Sequence, residues 1–311
     1  MDGKILVTGA GGFLGRALVP ALLARGASVT ALGRGESPFA ETPRLDWRRL
    51  DLCDPAAPLR AAAEGAGTVF HLAWSTVPAE AAFAPSQDAR ENIVGALRLI
   101  ENLDASQTPR FVFASSGGAI YGRLSQRPAP ESHPRRPISA YGVSKMAVEA
   151  YLDIYAGAGL LRPVSLRVGN LYGPGQDPRR LFGAVTQFSR AALAGEPIVM
   201  FGDGSAMRDY VYLDDAVDAL IRAAGAPETS PALNVASGRG RSLNDLVATL
   251  ERLLGRRLAV ERRPARAFDA PVSELDCEKA AAELGWRART AFEDGVGRTL
   301  AALARDMESL A

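Results

Sequence analysis

The sequence is poor in the residues from which metal centres are built. Among 311 residues there are two cysteines, Cys53 and Cys277, and two histidines, His71 and His133. They lie far apart and in no metal-ligand spacing, so a protein metal site is not expected and the thiols read as buried or incidental. Charge of one sign is lacking too: 36 basic against 35 acidic residues leave a formal net charge of +1. No global field then favours nucleic acid or an anionic membrane, and any anion must be gripped locally. Although 47% of the residues are hydrophobic, no apolar run reaches the roughly 18–20 residues that a bilayer crossing requires. The opening MDGKILVTGAGG lacks the charged start, apolar stretch and small-residue cleavage site of a signal peptide. The expectation is a cytoplasmic protein with no nucleic-acid or membrane partner.

The length suffices for one large α/β domain or for a nucleotide-binding domain with a smaller second lobe. Apolar runs at Lys4–Thr8, Ser28–Leu32, Thr68–Leu72, Arg110–Ala114 and Pro163–Val168 alternate with helix-period segments at Phe13–Arg25, Asp88–Asp104 and Ala140–Ala156. That alternation is the mark of a parallel sheet wound with helices. Pro20 removes a backbone bond inside the first helix, where a bend is expected. After about residue 170 the alternation weakens, with turn-rich stretches at GPGQDP, FGDGS and ERRPARAFDAP. The reading is an α/β, Rossmann-type doubly wound parallel sheet over 1–169 with a smaller C-terminal substrate-binding lobe over 170–311. Ala232–Val235 has the look of a strand that returns to the sheet.

The first strand runs into Gly9-Ala10-Gly11-Gly12-Phe13-Leu14-Gly15, at the strand–helix junction. Glycines there permit a sharp turn and let backbone amides approach a pyrophosphate, while the helix N-terminus adds partial positive charge. Alone the triplet fits a tight turn equally well; its position favours a dinucleotide. Roughly twenty residues on, an acidic residue accepting from the adenosine ribose would mark NAD. Gly33 and Arg34 stand there instead. Arg34 suits the 2′-phosphate of NADP, and suits an exposed loop as well. Further along, Asp51-Leu52 ends an apolar stretch where a carboxylate can meet the adenine amino group.

Tyr141-Gly142-Val143-Ser144-Lys145 places Tyr141 and Lys145 four residues apart on one helix face. A cation about 4 Å from a phenol, in an effective dielectric near 20, contributes roughly 4 kcal/mol, or about three pKa units. The expectation is a Tyr141 phenol brought close to working pH; a surface Tyr–Lys pair is the other meaning of this spacing.

Taken with Ser115-Ser116 at a strand end, these pieces resemble the extended short-chain dehydrogenase/reductases, in their nucleotide-sugar branch. The resemblance covers nearly the whole chain. It includes HLA at His71–Ala73, Asn92 within ENIVGALRLIE, SSGGAIYG, LRVGNLYGPG, FGDGSAMRDYVYLDD, NVASG, and the tail from Arg266 through LDCEKAAAELGW. It implies that Gly9, Gly12, Phe13, Leu14, Gly15, Leu72, Ala73 and Asn92 shape the cofactor site. Ser116 and Tyr141 would handle a sugar-hydroxyl proton and Lys145 would hold the nicotinamide ribose, with Ser115 as a fallback because the two glycines lengthen the serine segment by one residue. Asn170, Arg208 and Arg266 are assigned to the substrate diphosphate and Asp269 to the nucleoside ribose. Ser273, small and seven residues after Arg266, would leave room for a 2-acetamido group. In isolation these residues also fit surface ion pairs and a capping Asn.

By the same resemblance, dehydratases need an Asp-Glu pair after the active-site hydroxyl residue and decarboxylases a Glu, whereas this chain has Gly117-Gly118-Ala119. A redox-only 4-epimerase acting on a nucleotide-diphosphate sugar, with NAD or NADP, is therefore expected. An NADPH-dependent 4-ketoreductase and a non-catalytic dinucleotide-binding sensor or scaffold are the alternatives. Relatives commonly form homodimers through the Asp88–Asp104 and Ala140–Ala156 helices.

Overall fold

The computed structural model describes residues 3–180, 182–226, 231–266 and 270–308. Its strands are β1 Lys4–Thr8, β2 Val29–Gly33, β3 Leu45–Arg49, β4 Ala66–His71, β5 Arg110–Ser116, β6 Arg162–Val168, β7 Asn170–Tyr172, β8 Ile198–Phe201, β9 Met207–Tyr212, β10 Ala232–Val235, β11 Gly240–Ser242 and β12 Val260–Arg263. Seven of them form one sheet in the order β10-β6-β5-β4-β1-β2-β3, every pair parallel. Helices cover both faces, so the central strands need no polar side: Ile5, Leu6 and Val7 are all at most 1% exposed. The doubly wound reading of the sequence holds.

Two local features depart from that reading. Strand β3, sequence LDWRR, has no buried residue; an edge strand facing water needs no continuous apolar run, and its charges hid it. The expected Asp88–Asp104 helix begins earlier, at Pro85, and passes through a π-helical turn at Ala89–Val94 before ending at Glu101. Asp104 instead accepts from the Ser106 amide at the start of a short 3₁₀ turn. Helix Phe13–Ala24 is unbroken at Pro20, as the sequence reading had it.

Beyond β6 the chain builds a second layer. Strands β11, β9 and β7 form a small sheet and β12 pairs with β8. Helices Ala184–Ala194, Leu243–Leu254 and Phe292–Glu308 pack there around Tyr172, Phe188, Ile198, Tyr210, Leu246 and Val296. The layer is interleaved with the sheet: β10 lies against β6, and helix Leu213–Gly225 shares a core with β1, β6 and Trp286. Among the described residues no helix is long and apolar enough to cross a membrane, and no group of three or more His, Cys, Asp or Glu gathers to hold a metal ion.

Candidate active site

The carboxyl ends of β1, β4, β5 and β6 open onto two adjoining clefts, where a parallel α/β sheet presents its ligand site. The first, of about 350 Å³, is lined by Gly9, Gly11 and Gly12, by Gly33 and Arg34, by Asp51 and Leu52, and by His71–Ser75 and Asn92. Gly9 has φ +68°, and a Cβ there would lie 2.5 Å from the Ala73 amide nitrogen. A Cβ on Gly15 would lie 2.4 Å from the Gly9 carbonyl oxygen. Gly15 therefore acts by close packing of helix on loop and Gly9 by close packing of the loop on the chain after β4, while Gly9 and Gly12 both line the cleft. Phe13 and Leu14 line the second cleft.

At the end of β2 the structure accounts for the missing acid. A Cβ on Gly33 would sit 2.4 Å from the Trp47 ring, carried by edge strand β3. The indole occupies the space of a side chain at 33. Arg34 follows on the exposed rim, with no hydrogen bond or ion pair to its guanidinium among the described residues. Asp51 uses Oδ1 to accept from the Cys53 amide at 2.9 Å. Asn92 lines the cleft, but its amide is committed internally. Oδ1 accepts from the Ser75 amide and hydroxyl, and Nδ2 donates to Thr76 and to Asp88 at 2.9 Å. These bonds occupy the carboxamide, so Asn92 shapes the cleft through the Ser75–Thr76 loop.

The second cleft, of about 810 Å³, is lined by Ser116, Tyr141, Lys145, Asn170, Arg208 and Arg266 among others. Helix Ala140–Gly157 is started by Ser139, whose hydroxyl accepts from the Gly142 amide at 3.2 Å, and this sets Tyr141 and Lys145 in its first turns. Ser116 faces the Tyr141 phenol closely enough to oppose the rise in its pKa. Ser115 is engaged elsewhere, donating at 2.6 Å to Glu149. Glu149 is buried and ion-paired with Arg167 at 2.7 Å, which removes Ser115 as a fallback.

The expected electrostatics of the pair are reversed. Burial pushes the Tyr141 phenol up to about 12, with Ser116 opposing and Asp88 adding to the rise. Burial likewise holds Lys145 well below the usual lysine range, against the pull of Asp88 and Glu149. The reason is geometric. Lys145 Nζ donates to the Ala114 carbonyl at 2.6 Å and rests 3.5 Å from the centroid of the Trp74 ring, 5.7 Å from that of Tyr141. Its charge is spent on those partners instead of the phenol oxygen.

On the far wall, Arg208 donates to the carbonyls of Met207 and Ala270 at 2.8 and 2.7 Å, and Arg266 stacks 4.4 Å over Phe201. Asp269 lies outside the described residues. Ser273 is not on the cavity wall: it is 3% exposed and sits behind Gly118, where an added Cβ would be 3.3 Å from Asn170 Oδ1 and 3.7 Å from Ser273 Oγ. Its backbone pairs with Met207, and this pairing turns the side chain inward. The sequence reading missed Trp47, Trp74 and Asp88. Trp74 directly follows the HLA motif; Asp88 stands one turn before Asn92.

Residues 5–236 match the NAD dependent epimerase/dehydratase family. The chain belongs to that family. A UDP-glucose 4-epimerase of Mycolicibacterium smegmatis is 35% identical over 304 residues, 96% of this chain and 97% of its own. The crystal structure of a UDP-glucose 4-epimerase from Thermotoga maritima with UDP-glucose matches with a TM-score of 0.91 and 33% identity, covering 98% of this chain and 99% of that one. A Thermus thermophilus UDP-glucose 4-epimerase in complex with NAD matches at 0.87, also with 33% identity, covering 96% and 98%.

Proposed function

We propose that this protein is a nucleotide-sugar 4-epimerase, oxidising a UDP-hexose or UDP-N-acetylhexosamine at C4 and reducing the keto sugar on its other face. The observation that carries the reading is the Ser116–Tyr141–Lys145 set on the wall of the larger cleft, with the glycine loop on one side and Arg208 and Arg266 on the other. The glycine-lined cleft fits a dinucleotide: buried ring nitrogens of Trp47, His71 and Trp74 have no partner among the described residues. When bound, the oxidised nicotinamide supplies a hydride acceptor for the sugar C4 hydrogen and a positive charge that favours phenolate.

Tyr141 Oη then holds the proton that leaves the C4 hydroxyl and returns it to the carbonyl oxygen in the second half-reaction. Ser116 Oγ stands beside Tyr141 on the same cleft wall and is placed to orient that exchange. Burial keeps the Tyr141 phenol protonated at neutral pH, so it takes up that proton only when the charge of a bound nicotinamide offsets the burial. Arg208 and Arg266 offer charge-assisted bonds to a diphosphate, and Asn170 lies on the same wall. Gly117-Gly118-Ala119 brings no carboxylate to the site, which supports epimerisation over dehydration or decarboxylation.

NAD is the cofactor favoured by the relatives. Arg34, unpaired beside a glycine that Trp47 keeps bare, favours NADP and with it a second reading, net reduction of a 4-keto nucleotide sugar. A homodimer is supported by exposed Val143, Tyr151 and Ile154 on one helix and Val94 on its neighbour; the cytoplasm is the proposed location. The test is a panel of nucleotide sugars. Conversion without added cofactor supports the epimerase; consumption of stoichiometric NADPH by keto sugars alone overturns it in favour of the reductase.

A further inference from the structure

Trp74 leaves the end of β4 at the point where the two clefts meet and lines both of them. Its ring centroid is 3.5 Å from Lys145 Nζ, and it stands edge-on to Tyr141, 5.8 Å between centroids. The ring is thus the nearest neighbour of the Lys145 charge on the cleft side, since the opposite contact is the Ala114 carbonyl at 2.6 Å. Meanwhile the indole nitrogen is buried and has no hydrogen-bond partner among the described residues. Indole N–H only donates, and a buried donor left without an acceptor is unfavourable. Because the residue lines both clefts, an acceptor oxygen bound beside the ring would relieve it.

We propose that Trp74 is a cofactor-positioning residue, its indole N–H donating to an oxygen of the bound dinucleotide while its ring face steadies the Lys145 ammonium group. The assignment rests on the dinucleotide-binding reading above. Two parts of one side chain then act together, since the edge fixes the ligand and the face fixes the lysine that shares the site with it. A small residue here would leave Lys145 with the Ala114 carbonyl and the more distant Phe113 ring, 4.8 Å to its centroid.

Dissociation constants for NAD and NADP, measured calorimetrically without sugar on the whole protein, separate the possibilities because they are read on folded protein. Trp74→Phe keeps a ring face and deletes the donor; it is expected to weaken the preferred dinucleotide by roughly 2- to 12-fold, the span of one net hydrogen bond. Trp74→Leu deletes the face as well and should cost a further 2- to 5-fold or so. That further loss should vanish when both variants are rebuilt on Lys145→Met, as a pairwise contact requires. Unchanged dinucleotide affinity in Trp74→Phe, or a loss confined to nucleotide-sugar binding, overturns the donor assignment. A Leu-specific loss that persists on Lys145→Met overturns the ring-face assignment. If the parent protein binds neither dinucleotide, the proposed function itself fails and this inference with it.

Discussion

The carboxylate of Asp88 accepts a hydrogen bond from the hydroxyl of Ser144, the residue immediately before Lys145. Asp88 is fully buried, and its other oxygen accepts from Asn92 and Thr76. One carboxylate thereby ties the loop after β4, the π-helical turn and the Tyr141–Lys145 helix into a single unit. It is also the leading charge opposing the depression of the Lys145 ammonium group by burial.

Asp88→Asn removes that charge at nearly constant shape. Lys145 should then lose its proton at a lower pH, moving the alkaline limb of kcat/KM downward. Mismatched donors around a buried amide should also lower stability by about 1–3 kcal/mol. A pH profile unchanged in a folded variant would show that Asp88 acts on architecture alone.

Tyr141→Phe should fold and bind dinucleotide yet turn over about 10²-fold more slowly or worse, the scale of a lost general acid–base group. Steady-state assay on the preferred nucleotide sugar is the measurement, and near-normal turnover would remove Tyr141 from the proton path.

Arg34→Ala should weaken NADP while leaving NAD nearly unaffected, because only the 2′-phosphate needs the guanidinium. Calorimetry with both cofactors checks this, and an unchanged affinity ratio makes the arginine a bystander.

Ser273→Tyr should not discriminate between hexose and N-acetylhexosamine substrates, since the side chain is buried behind Gly118. The expected outcome is a general loss of about 1–3 kcal/mol in stability from overpacking. Gly118→Ala places a methyl group on the cavity wall 3.3 Å from Asn170 Oδ1, and should change KM with little change in thermal midpoint. Substrate-selective loss in Ser273→Tyr would contradict the burial.

His71 is buried against Thr8, and burial, assisted by Lys145, lowers its pKa to about 3. An unfolded histidine titrates near 6.5. The folded state thus binds fewer protons between these values, so the contribution is complete above about pH 6.5 and is lost as pH falls toward 3. Urea unfolding at pH 7.5 and pH 5 should show the parent losing about 2 kcal/mol more than His71→Gln; identical losses would refute the assignment.

The sheet and its glycine loop were legible because both rest on local chemistry. Buried parallel strands must be apolar throughout, as at Ile5–Val7, and a loop that brings backbone against Ala73 must be glycine. The Tyr141–Lys145 spacing likewise fixes a shared helix face. What the spacing leaves open is the environment. Whether Lys145 lowers the phenol depends on where its charge is spent, and Trp74 comes from the loop after β4 and the Ala114 carbonyl from β5. Ser273 shows the same limit: its distance in sequence from Arg266 was informative, but the direction of its side chain is set by a backbone pairing with Met207, 66 positions away. Strand β3 escaped because a solvent-facing edge obeys no apolar rule.

The return of β10 to the edge of the sheet means that the two layers are woven, not hinged. The chain leaves at β6, builds β7 to β9 on the far side of the cleft, and comes back to lie against the strand it left. Cutting after residue 169 would strip a hydrogen-bonded neighbour from β6 and uncover the apolar face closed by Leu213–Gly225. Neither half then has a reason to fold without the other, and the walls of the sugar cleft are held in register by the chain's own path.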